Sequence, residues 1–318
     1  MSKPLVNKTE ISIAMLGMVD GNGHPYSWSA IINGYDKDEM KKCPFPVIPQ
    51  YLGLQPPKNF GIPGCRVTHI WTDDPKDAEA VAKASLIPHT VKYPEDVIGK
   101  VDAVCITTDI GYEHVDRCKP FVEAGIPVFV DKPLTDNLKD LKTFDKWVEE
   151  GKPIMSSSCM RYTKEYGPYR ESTAELGELR LVIKPMAKSW ERYGIHAAEA
   201  VYPVLGPGFL SVRNTGEGKS NLVVIKHKSG AIVQIPQIED MYGSFGDLFL
   251  AGTASSVHVK SGDTFYSFKK QLEAFVEYLR TGTRPFPYEE TQELMKIIIA
   301  GILSKEQQGK EIELDELR

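Results

Sequence analysis

The sequence predicts a two-domain α/β protein. A doubly wound parallel sheet is expected first, then an α+β domain built on an open, largely antiparallel sheet. The 318 residues exceed one typical domain of about 150 residues. From residue 11 to 158, apolar runs of strand length alternate with helix-like stretches, as in a parallel sheet covered by helices. After residue 160 the strands alternate with period two, which favours antiparallel pairing. We therefore expect domains over residues 1–158 and 159–318.

Five strands are expected in the first half, each apolar on both faces, as a sheet buried on two sides requires. They are ISIAMLG (11–17), RVTHIWT (66–72), VDAVCITT (101–108), IPVFVDKP (126–133) and KPIMSSS (152–158). The stretches between them predict the helices KDAEAVAKAS (76–85), EHVDRCKPFVEAG (113–125) and NLKDLKTFDKWVEEG (137–151). In the first of these helices, Pro75 suits the first turn and Asp74 the N-terminal cap.

The second half predicts strands joined by short polar turns. They are ELRLVIKPMA (178–187), NLVVIKHKSG (221–230), AIVQIPQI (231–238) and GDLFLAGT (246–253). Two helices close the chain, FKKQLEAFVEYLRTG (268–282) and EETQELMKIIIAGILSKEQQG (289–309). Their apolar residues recur at helical spacing, so these stripes are expected to belong to the core.

A proline-rich insertion interrupts the first half at about residues 35–64. Six of the chain's 22 prolines fall in this stretch, and proline breaks both helices and central strands. We therefore expect a long loop. Loops of this length are more often functional than decorative, so a lid over a site and a packed surface excursion both remain open.

The composition excludes several classes of protein. It is 42% hydrophobic and 25% charged with a net charge of -5, which is typical of a soluble globular chain without the basic stripe that nucleic acids or anionic membranes require. The five cysteines form no CxxC pair, which predicts reduced thiols and a cytoplasmic protein. The opening MSKPLVNKTEISIAMLG has too short an apolar run for a signal peptide or a membrane span. Histidines without paired spacing predict no metal.

A glycine-rich turn follows the first strand. Such a turn can place backbone N–H groups and a helix N-terminus against a dinucleotide pyrophosphate. The segment offers Gly17, Gly21 and Gly23, but a GxGxxG pattern begun at Gly21 would need a third glycine where Tyr26 stands. Pro25 suits the first helical turn and Ser27 could donate to a phosphate. The same glycines also suit a plain turn between strand and helix.

Motifs further along resemble those of one known family. DAVCITTD (102–109), His114, EAGIPVFV (123–130) and DKPL (131–134) stand in the order of its DAVxIxTP strand, following histidine, helix ending in AG, and EKP segment. YGIHAAEAVYPVLG (193–206) is similar to its xGxHxxD segment, and FKKQLEAFVEYLRTGTRPFP (268–287) to its C-terminal pattern. The chain thus resembles, end to end, the Gfo/Idh/MocA oxidoreductases related to glucose-fructose oxidoreductase and inositol dehydrogenase. The resemblance implies a Rossmann domain and a second domain whose sheet binds substrate on one face and another subunit on the other.

The resemblance implies two catalytic residues. The lysine of the EKP segment falls on Lys132, with Asp131 in place of glutamate. In relatives this lysine lies between nicotinamide and substrate, where an ammonium can stabilise developing alkoxide charge. His196 matches the family's general acid/base histidine, a role that suits imidazole because its ordinary pKa lies near neutrality. Without the resemblance, a solvated turn lysine and a structural histidine would be the ordinary interpretations.

One departure from the family pattern lies four residues before that histidine, where many relatives carry an orienting aspartate and this chain has Arg192. Either Glu191 or Glu199 takes over the orienting role, or the chemistry differs from polyol oxidation. A substrate with a negative group is one explanation of Arg192, and pairing with one of those glutamates is the other. Arg161 and Tyr193 are candidates for the substrate pocket or for packing between domains.

For the cofactor, an acid is expected at the end of the second strand to bind ribose hydroxyls. Thr72 stands at the usual position and Asp73 follows it, and no arginine follows to receive a 2'-phosphate. NAD is therefore favoured, with NADP left open. The resemblance places cofactor contacts on Gly17, Gly21, Gly23, His24, Ser27, Thr72, Asp73, Thr107, Thr108, His114, Asp131 and Lys132.

The expected function is hydride transfer between nicotinamide and a secondary alcohol of a sugar, polyol or cyclitol. The family also implies an alternative, a lyase or glycosidase that retains NAD as internal oxidant. A third hypothesis is a sensor that binds the cofactor without turnover. The expected partners are a carbohydrate-like substrate and identical subunits, in a homodimer or homotetramer formed through the C-terminal sheet.

Overall fold

A computed structural model describes residues 3–317 of the chain. The N-terminal sheet has six parallel strands in the order β3-β2-β1-β4-β5-β6. The strands are β1 (Ile11–Leu16), β2 (Cys65–Trp71), β3 (His89–Thr90), β4 (Ala103–Ile106), β5 (Val128–Val130) and β6 (Ile154–Ser156). Their order reverses at β1, whose neighbours are β2 and β4. In such sheets ligands bind outside the carboxyl ends of the strands at this switch point.

The helices of the first half are α1 (His24–Asn33), α2 (Lys37–Met40), α3 (Val47–Gly53), α4 (Pro75–Ala84), α5 (His114–Glu123) and α6 (Leu138–Glu149). The predicted cap of α4 is confirmed, because the Asp74 side chain accepts a hydrogen bond from the Lys76 backbone at 2.9 Å. Pro25 lies in the first turn of α1, also as predicted.

The proline-rich insertion is not the long loop that the sequence predicts. It contains α2 and α3, because its prolines lie where helices tolerate them: Pro46 is the residue before α3 and Pro49 lies in its first turn. Met40 and Leu52 are fully buried, so the insertion packs as part of the core.

The C-terminal sheet has eight strands in the order β13-β12-β7-β11-β10-β9-β14, with β8 beside β11. The strands are β7 (Leu179–Ile183), β8 (Met186–Ala187), β9 (Phe209–Asn214), β10 (Ser220–His227), β11 (Ile232–Ile238), β12 (Asp247–Gly252), β13 (Ser256–Lys260) and β14 (Ile312–Glu313). Only β7 and β8 run parallel to β11, so the predicted, largely antiparallel sheet is confirmed.

Four more helices belong to the second half: α7 (Gly167–Glu171), α8 (Trp190–Leu205), α9 (Thr264–Thr281) and α10 (Tyr288–Glu306). Helix α9 packs against the N-terminal sheet, since the rings of Phe275 and Phe129 of β5 lie 5.2 Å apart. Helix α8, which carries the predicted histidine, begins directly after β8. The five cysteines are free and buried. No helix within residues 3–317 has the length and apolar character needed to cross a membrane.

Candidate active site

The glycine turn lies at the carboxyl end of β1, at the switch point of the sheet. Gly17 and Gly21 have φ angles of 97° and 77°, in the region that glycine adopts without strain. The Thr107 hydroxyl donates to the Gly17 carbonyl at 2.6 Å and so ties the end of β4 to the turn. A Cβ on Gly23 would lie 2.5 Å from atoms of Phe45 and Ile48 of the insertion. The insertion therefore closes directly over this turn.

Asp73 lies at the end of β2 and faces the turn. Its carboxylate accepts a hydrogen bond from the Met18 backbone at 3.3 Å and pairs with Arg117 of α5 at 2.9 Å. Thr72 is buried, and its hydroxyl donates to the Asp74 carbonyl at 2.6 Å. Asp73 rather than Thr72 is thus the side chain available at this edge. No arginine follows Asp73 closely in sequence, but the fold brings Arg117 of α5 next to it.

The residues at this edge fit the adenosine end of a dinucleotide. A cavity of about 250 Å³ lies between the ends of β1, β2 and β4 and helix α5, lined by Leu16, Trp71 and Phe121. Beside Gly17, the Thr108 hydroxyl is buried with no hydrogen-bond partner in the described chain, and buried polar groups are normally paired. The apolar cavity suits an adenine base, and the Asp73 carboxylate and the Thr108 hydroxyl are groups that can bind a ribose.

A buried ion cluster lies at the end of β5. Lys132 is 2% exposed, and its Nζ donates to Asp109 Oδ2 at 3.2 Å and lies 3.9 Å from Asp131 Oδ2. Burial alone would lower the pKa of Lys132, but the two carboxylates outweigh burial and raise it. Lys132 is therefore a permanent cation at neutral pH.

Asp109 also binds Arg192, whose Nη2 donates to Asp109 Oδ1 at 2.5 Å and to the Asp20 carbonyl at 2.9 Å. Burial raises the pKa of Asp109, but Lys132 and Arg192 outweigh it and lower that pKa to about 2. The expectation that Arg192 pairs with Glu191 or Glu199 is therefore wrong. The carboxylate that pairs with Arg192 is that of Asp109, in the N-terminal half of the chain.

Asp131 is fully buried and accepts three hydrogen bonds. They come from the Lys132 backbone at 2.7 Å, from Asn22 Nδ2 at 2.8 Å and from the ring of His24, whose Nδ1 lies 2.6 Å from Asp131 Oδ2. The His24 ring stacks on Trp28 with centroids 4.6 Å apart. His24, expected to contact cofactor, thus has its side chain directed to Asp131. Ser27 is buried, and its hydroxyl lies 3.5 Å from the His24 carbonyl.

His196 of α8 is 4% exposed, and its Nδ1 lies 2.7 Å from the Ser158 hydroxyl oxygen. Its ring packs edge to face against Tyr193 at 4.9 Å and Phe245 at 5.3 Å. Burial and the nearby Lys132 charge hold the pKa of His196 well below its usual range. The ring is therefore neutral at neutral pH, and Ser158 rather than a carboxylate orients it.

Two other predicted residues make structural contacts. Arg161 is buried and pairs with Glu199 of α8 and, at 2.7 Å, with Glu290 of α10, so it joins these two helices. His114 is fully buried, with its ring nitrogens 2.9 Å from the Thr108 carbonyl and 3.1 Å from that of Leu134. Its ring therefore ties together the loops that follow β4 and β5.

A cavity of about 390 Å³ lies beside the ion cluster. Its walls are residues 21–24 of the glycine turn, residues 44–48 of the insertion, and Lys188, Tyr193 and Phe268 from the second half. Tyr193 connects the cavity to the cluster, since Lys132 Nζ lies 4.9 Å from its ring centroid. The insertion is therefore both a packed excursion and the roof of this cavity.

Five polar residues of the site were not predicted, among them Ser158, which orients His196. Asp109 directly follows a predicted strand, and the rule that carboxyl ends of parallel strands meet at one edge would have found it. Asn22, Arg117 and Lys188 carried no motif. No group of three His, Cys, Asp or Glu side chains within residues 3–317 is arranged to hold a metal ion.

Comparison with known proteins agrees with this geometry. Residues 53–157 match a family model described as the GFO_IDH_MocA oxidoreductase family, NAD-binding Rossmann fold. A protein of Amycolatopsis mediterranei named as a UDP-kanosamine synthase oxidoreductase subunit is 28% identical over 109 residues. This match covers 34% of the chain and spans only 30% of that relative.

Solved structures share the fold over nearly the whole chain. A myo-inositol 2-dehydrogenase from Lactobacillus plantarum superposes with a TM-score of 0.74 at 13% identity, covering 96% of this chain and 99% of that one. An oxidoreductase from Agrobacterium radiobacter in complex with NAD+, L-tartaric acid and magnesium has a TM-score of 0.74 at 13% identity, covering 97% of this chain and 100% of that one. Residues 53–157 are therefore similar in sequence to the NAD-binding domain of the Gfo/Idh/MocA oxidoreductase family, and nearly the whole chain shares the fold of these solved structures.

Proposed function

We propose that the protein transfers a hydride between NAD and a secondary alcohol of a sugar, polyol or cyclitol. The observation that carries the proposal is that a charged lysine and a neutral histidine both contact the same tyrosine ring. Lys132 Nζ and the His196 ring each lie 4.9 Å from the ring centroid of Tyr193, at the carboxyl end of β5. One cation and one neutral base are the groups that oxidation of an alcohol needs.

NAD, when bound, accepts or donates the hydride. Its adenosine end would be held at the switch point by Asp73, the Thr108 hydroxyl and the cavity beside Arg117. The turn from Gly17 to Ser27 and the end of β4 at Thr107 would contact its pyrophosphate. Preference for NAD over NADP is supported by the Asp73 carboxylate, which repels a 2'-phosphate, although Arg117 beside it weakens that repulsion.

Lys132 stabilises charge and does not move a proton in this mechanism. Its raised pKa keeps the ammonium protonated, and Asp109 and Asp131 fix its position. An ammonium held in place before the reaction stabilises the alkoxide that develops on the substrate oxygen, without reorganisation. The two carboxylates orient Lys132 and are positioning residues.

His196 takes the proton of the substrate hydroxyl. Its Nδ1 is engaged by Ser158, so Nε2 is the nitrogen available for transfer. Because burial and the Lys132 charge lower the pKa of His196, the ring starts neutral and has a nitrogen free to accept the proton. Tyr193 lies between the two groups and would contact the substrate.

A homo-oligomer formed through the C-terminal sheet is supported by the outer face of β10 and β11. Leu222 is 49%, Val224 37%, Ile232 44% and Ile238 37% exposed, and the strand register places them on one face. Gln234 and Lys226 stand among them on this face, and a group of exposed apolar side chains of this kind marks a contact surface.

The proposal is tested by nicotinamide absorbance of the purified protein with a panel of sugars, polyols and cyclitols. We expect net NADH formation with NAD+. Product without net NADH would favour a lyase or glycosidase with retained cofactor, and neither product nor NADH would favour a sensor. Both of these results would overturn the proposed reaction.

A further inference from the structure

Lys188 places an uncompensated positive charge at the wall of the cavity below the insertion. Its Nζ donates to the Tyr193 hydroxyl at 2.6 Å and lies 3.5 Å from the Gly21 carbonyl. No carboxylate of the described chain pairs with it within 4.0 Å. Of the cations nearby, Lys132 pairs with Asp109 and Asp131, and Arg192 pairs with Asp109. Lys188 therefore lines the cavity with an ammonium that no carboxylate of residues 3–317 neutralises.

The backbone of Lys188 is held in a conformation that side chains rarely adopt. Its φ angle is 62°, in the left-handed region. This conformation destabilises a lysine relative to a glycine at the same position. Fully buried Gln237 holds the bend, because its Nε2 lies 3.1, 3.1 and 2.6 Å from the carbonyls of Ala187, Lys188 and Ser189. The Lys188 backbone also donates to the Glu239 carbonyl at 3.0 Å. Such strain is typical of functional positions, and here it directs the side chain to the glycine turn.

The cavity suits a ligand with one charged group. Its volume of about 390 Å³ falls within the usual range of about 300–1,000 Å³ for small-molecule sites. Phe45, Ile48 and Phe268 give it apolar walls, which exclude water and strengthen a charge-assisted hydrogen bond. A neutral hydroxyl in the same place would gain less from the ammonium.

We propose that this cavity binds an anionic group, a carboxylate or a phosphate, which pairs with Lys188. If the group belongs to the substrate, the inference rests on the proposed function and narrows the substrate class to sugar or polyol acids and phosphates. Arg192 is less suited to bind a substrate anion, because it already forms an ion pair with Asp109.

Calorimetric titration tests the proposal without turnover. The probes are glucose beside glucuronate, galactose beside galacturonate, inorganic phosphate, and NADH. The proteins are the wild type, Lys188→Met, Lys188→Arg, and Lys37→Met as a control on the exposed first turn of α2. We expect at least one acid to bind the wild type tenfold or more tightly than its neutral partner. Lys188→Met should remove this preference, while Lys188→Arg keeps most of it and Lys37→Met all of it.

A further variant separates a binding role from a structural one. Lys188→Gly relieves the left-handed strain, so we expect a higher melting temperature together with the same loss of acid binding. A tenfold loss confined to NADH would assign the Lys188 contact to the cofactor pyrophosphate, which the proposed function already places along this turn, and would overturn the proposal of a further anionic ligand. If no acid, phosphate or NADH affinity depends on Lys188, the proposal is overturned. Lys188-dependent acid binding in a protein without hydride transfer would overturn the proposed function alone.

Discussion

Replacement of Asp109 by asparagine should destabilise the fold strongly, since this carboxylate is fully buried between two cations. It lies 3.2 Å from Lys132 Nζ and 2.5 Å from Arg192 Nη2. The Coulomb attraction at 3.2 Å is about 5 kcal/mol at an effective dielectric of about 20, before desolvation is counted. Breaking a buried pair by removing one partner typically costs about 3–5 kcal/mol.

The expected loss lies at the lower end of that range. Asp131 Oδ2 remains 3.9 Å from Lys132 Nζ, and the Arg192 side chain is 33% exposed and can be solvated. We therefore expect Asp109→Asn to lower the free energy of unfolding by about 3 kcal/mol. Urea denaturation followed by circular dichroism measures it.

A double-mutant cycle assigns the loss to the pair. The combination of Asp109→Asn with Lys132→Met should cost at least about 1.5 kcal/mol less than the sum of the single variants, because the buried Lys132 ammonium that would lose Asp109 is then absent. Asp38→Asn, in a fully exposed pair with Lys41, serves as control and should leave stability unchanged. A loss below about 1 kcal/mol for Asp109→Asn, or additive single effects, would refute the reasoning.

The pH dependence of this loss has a defined sign. The Lys132 and Arg192 charges outweigh burial and lower the pKa of Asp109 to about 2 in the folded protein, against about 3.9 in the unfolded chain. Its stabilisation is therefore fully present above about pH 4 and is lost as the pH falls through about 2. The stability difference between wild type and Asp109→Asn should shrink over that window, and a difference that grows on acidification would contradict the assignment.

Three further predictions concern catalysis, cofactor choice and assembly. Lys132→Ala should lower turnover by orders of magnitude while a fluorescence titration shows NADH binding nearly intact, because the ammonium acts on charge present mainly in the transition state; near wild-type turnover would exclude its role. The wild type should bind NAD more tightly than NADP, and Asp73→Ser should reduce or reverse this preference by leaving Arg117 free for a 2'-phosphate; an unchanged ratio would place the ribose elsewhere. Light scattering should show an oligomer that Leu222→Lys with Val224→Lys dissociates, whereas a monomeric wild type would rule out assembly through this face.

Much of the fold could be predicted because long apolar runs report burial directly. The strands β1, β2, β4, β5 and β6 were predicted from such runs, and the period-two segments gave β7, β8, β10, β11 and β12. Strands β3 and β14 have two residues each, too short for any periodicity. Strands β9 and β13 were not identified, although both alternate in burial over part of their length. The helices of the insertion were missed because proline signals the end of a helix and also suits its first turn.

The candidate site was predictable only where a residue follows a strand or belongs to a motif. Lys132, Asp131 and His196 were identified in this way. The partner of Arg192 was not, because Asp109 lies 83 residues away in sequence and a nearby glutamate was the natural local choice. The position of Lys188 depends on a single backbone angle and on Gln237, 49 residues further on. Contacts of this range are set by packing, which local sequence does not report.

The central claim is that hydrogen moves directly between the substrate carbon and the nicotinamide beside Lys132 and His196. Transfer of deuterium tests it most directly: a sugar or polyol deuterated at its carbinol carbons is incubated with the protein and NAD+, and the cofactor is analysed by mass spectrometry. We predict that the wild type places one deuterium on the nicotinamide and that Lys132→Met does not. A nicotinamide without label, while the substrate is consumed and its deuterium appears in water, would contradict the account.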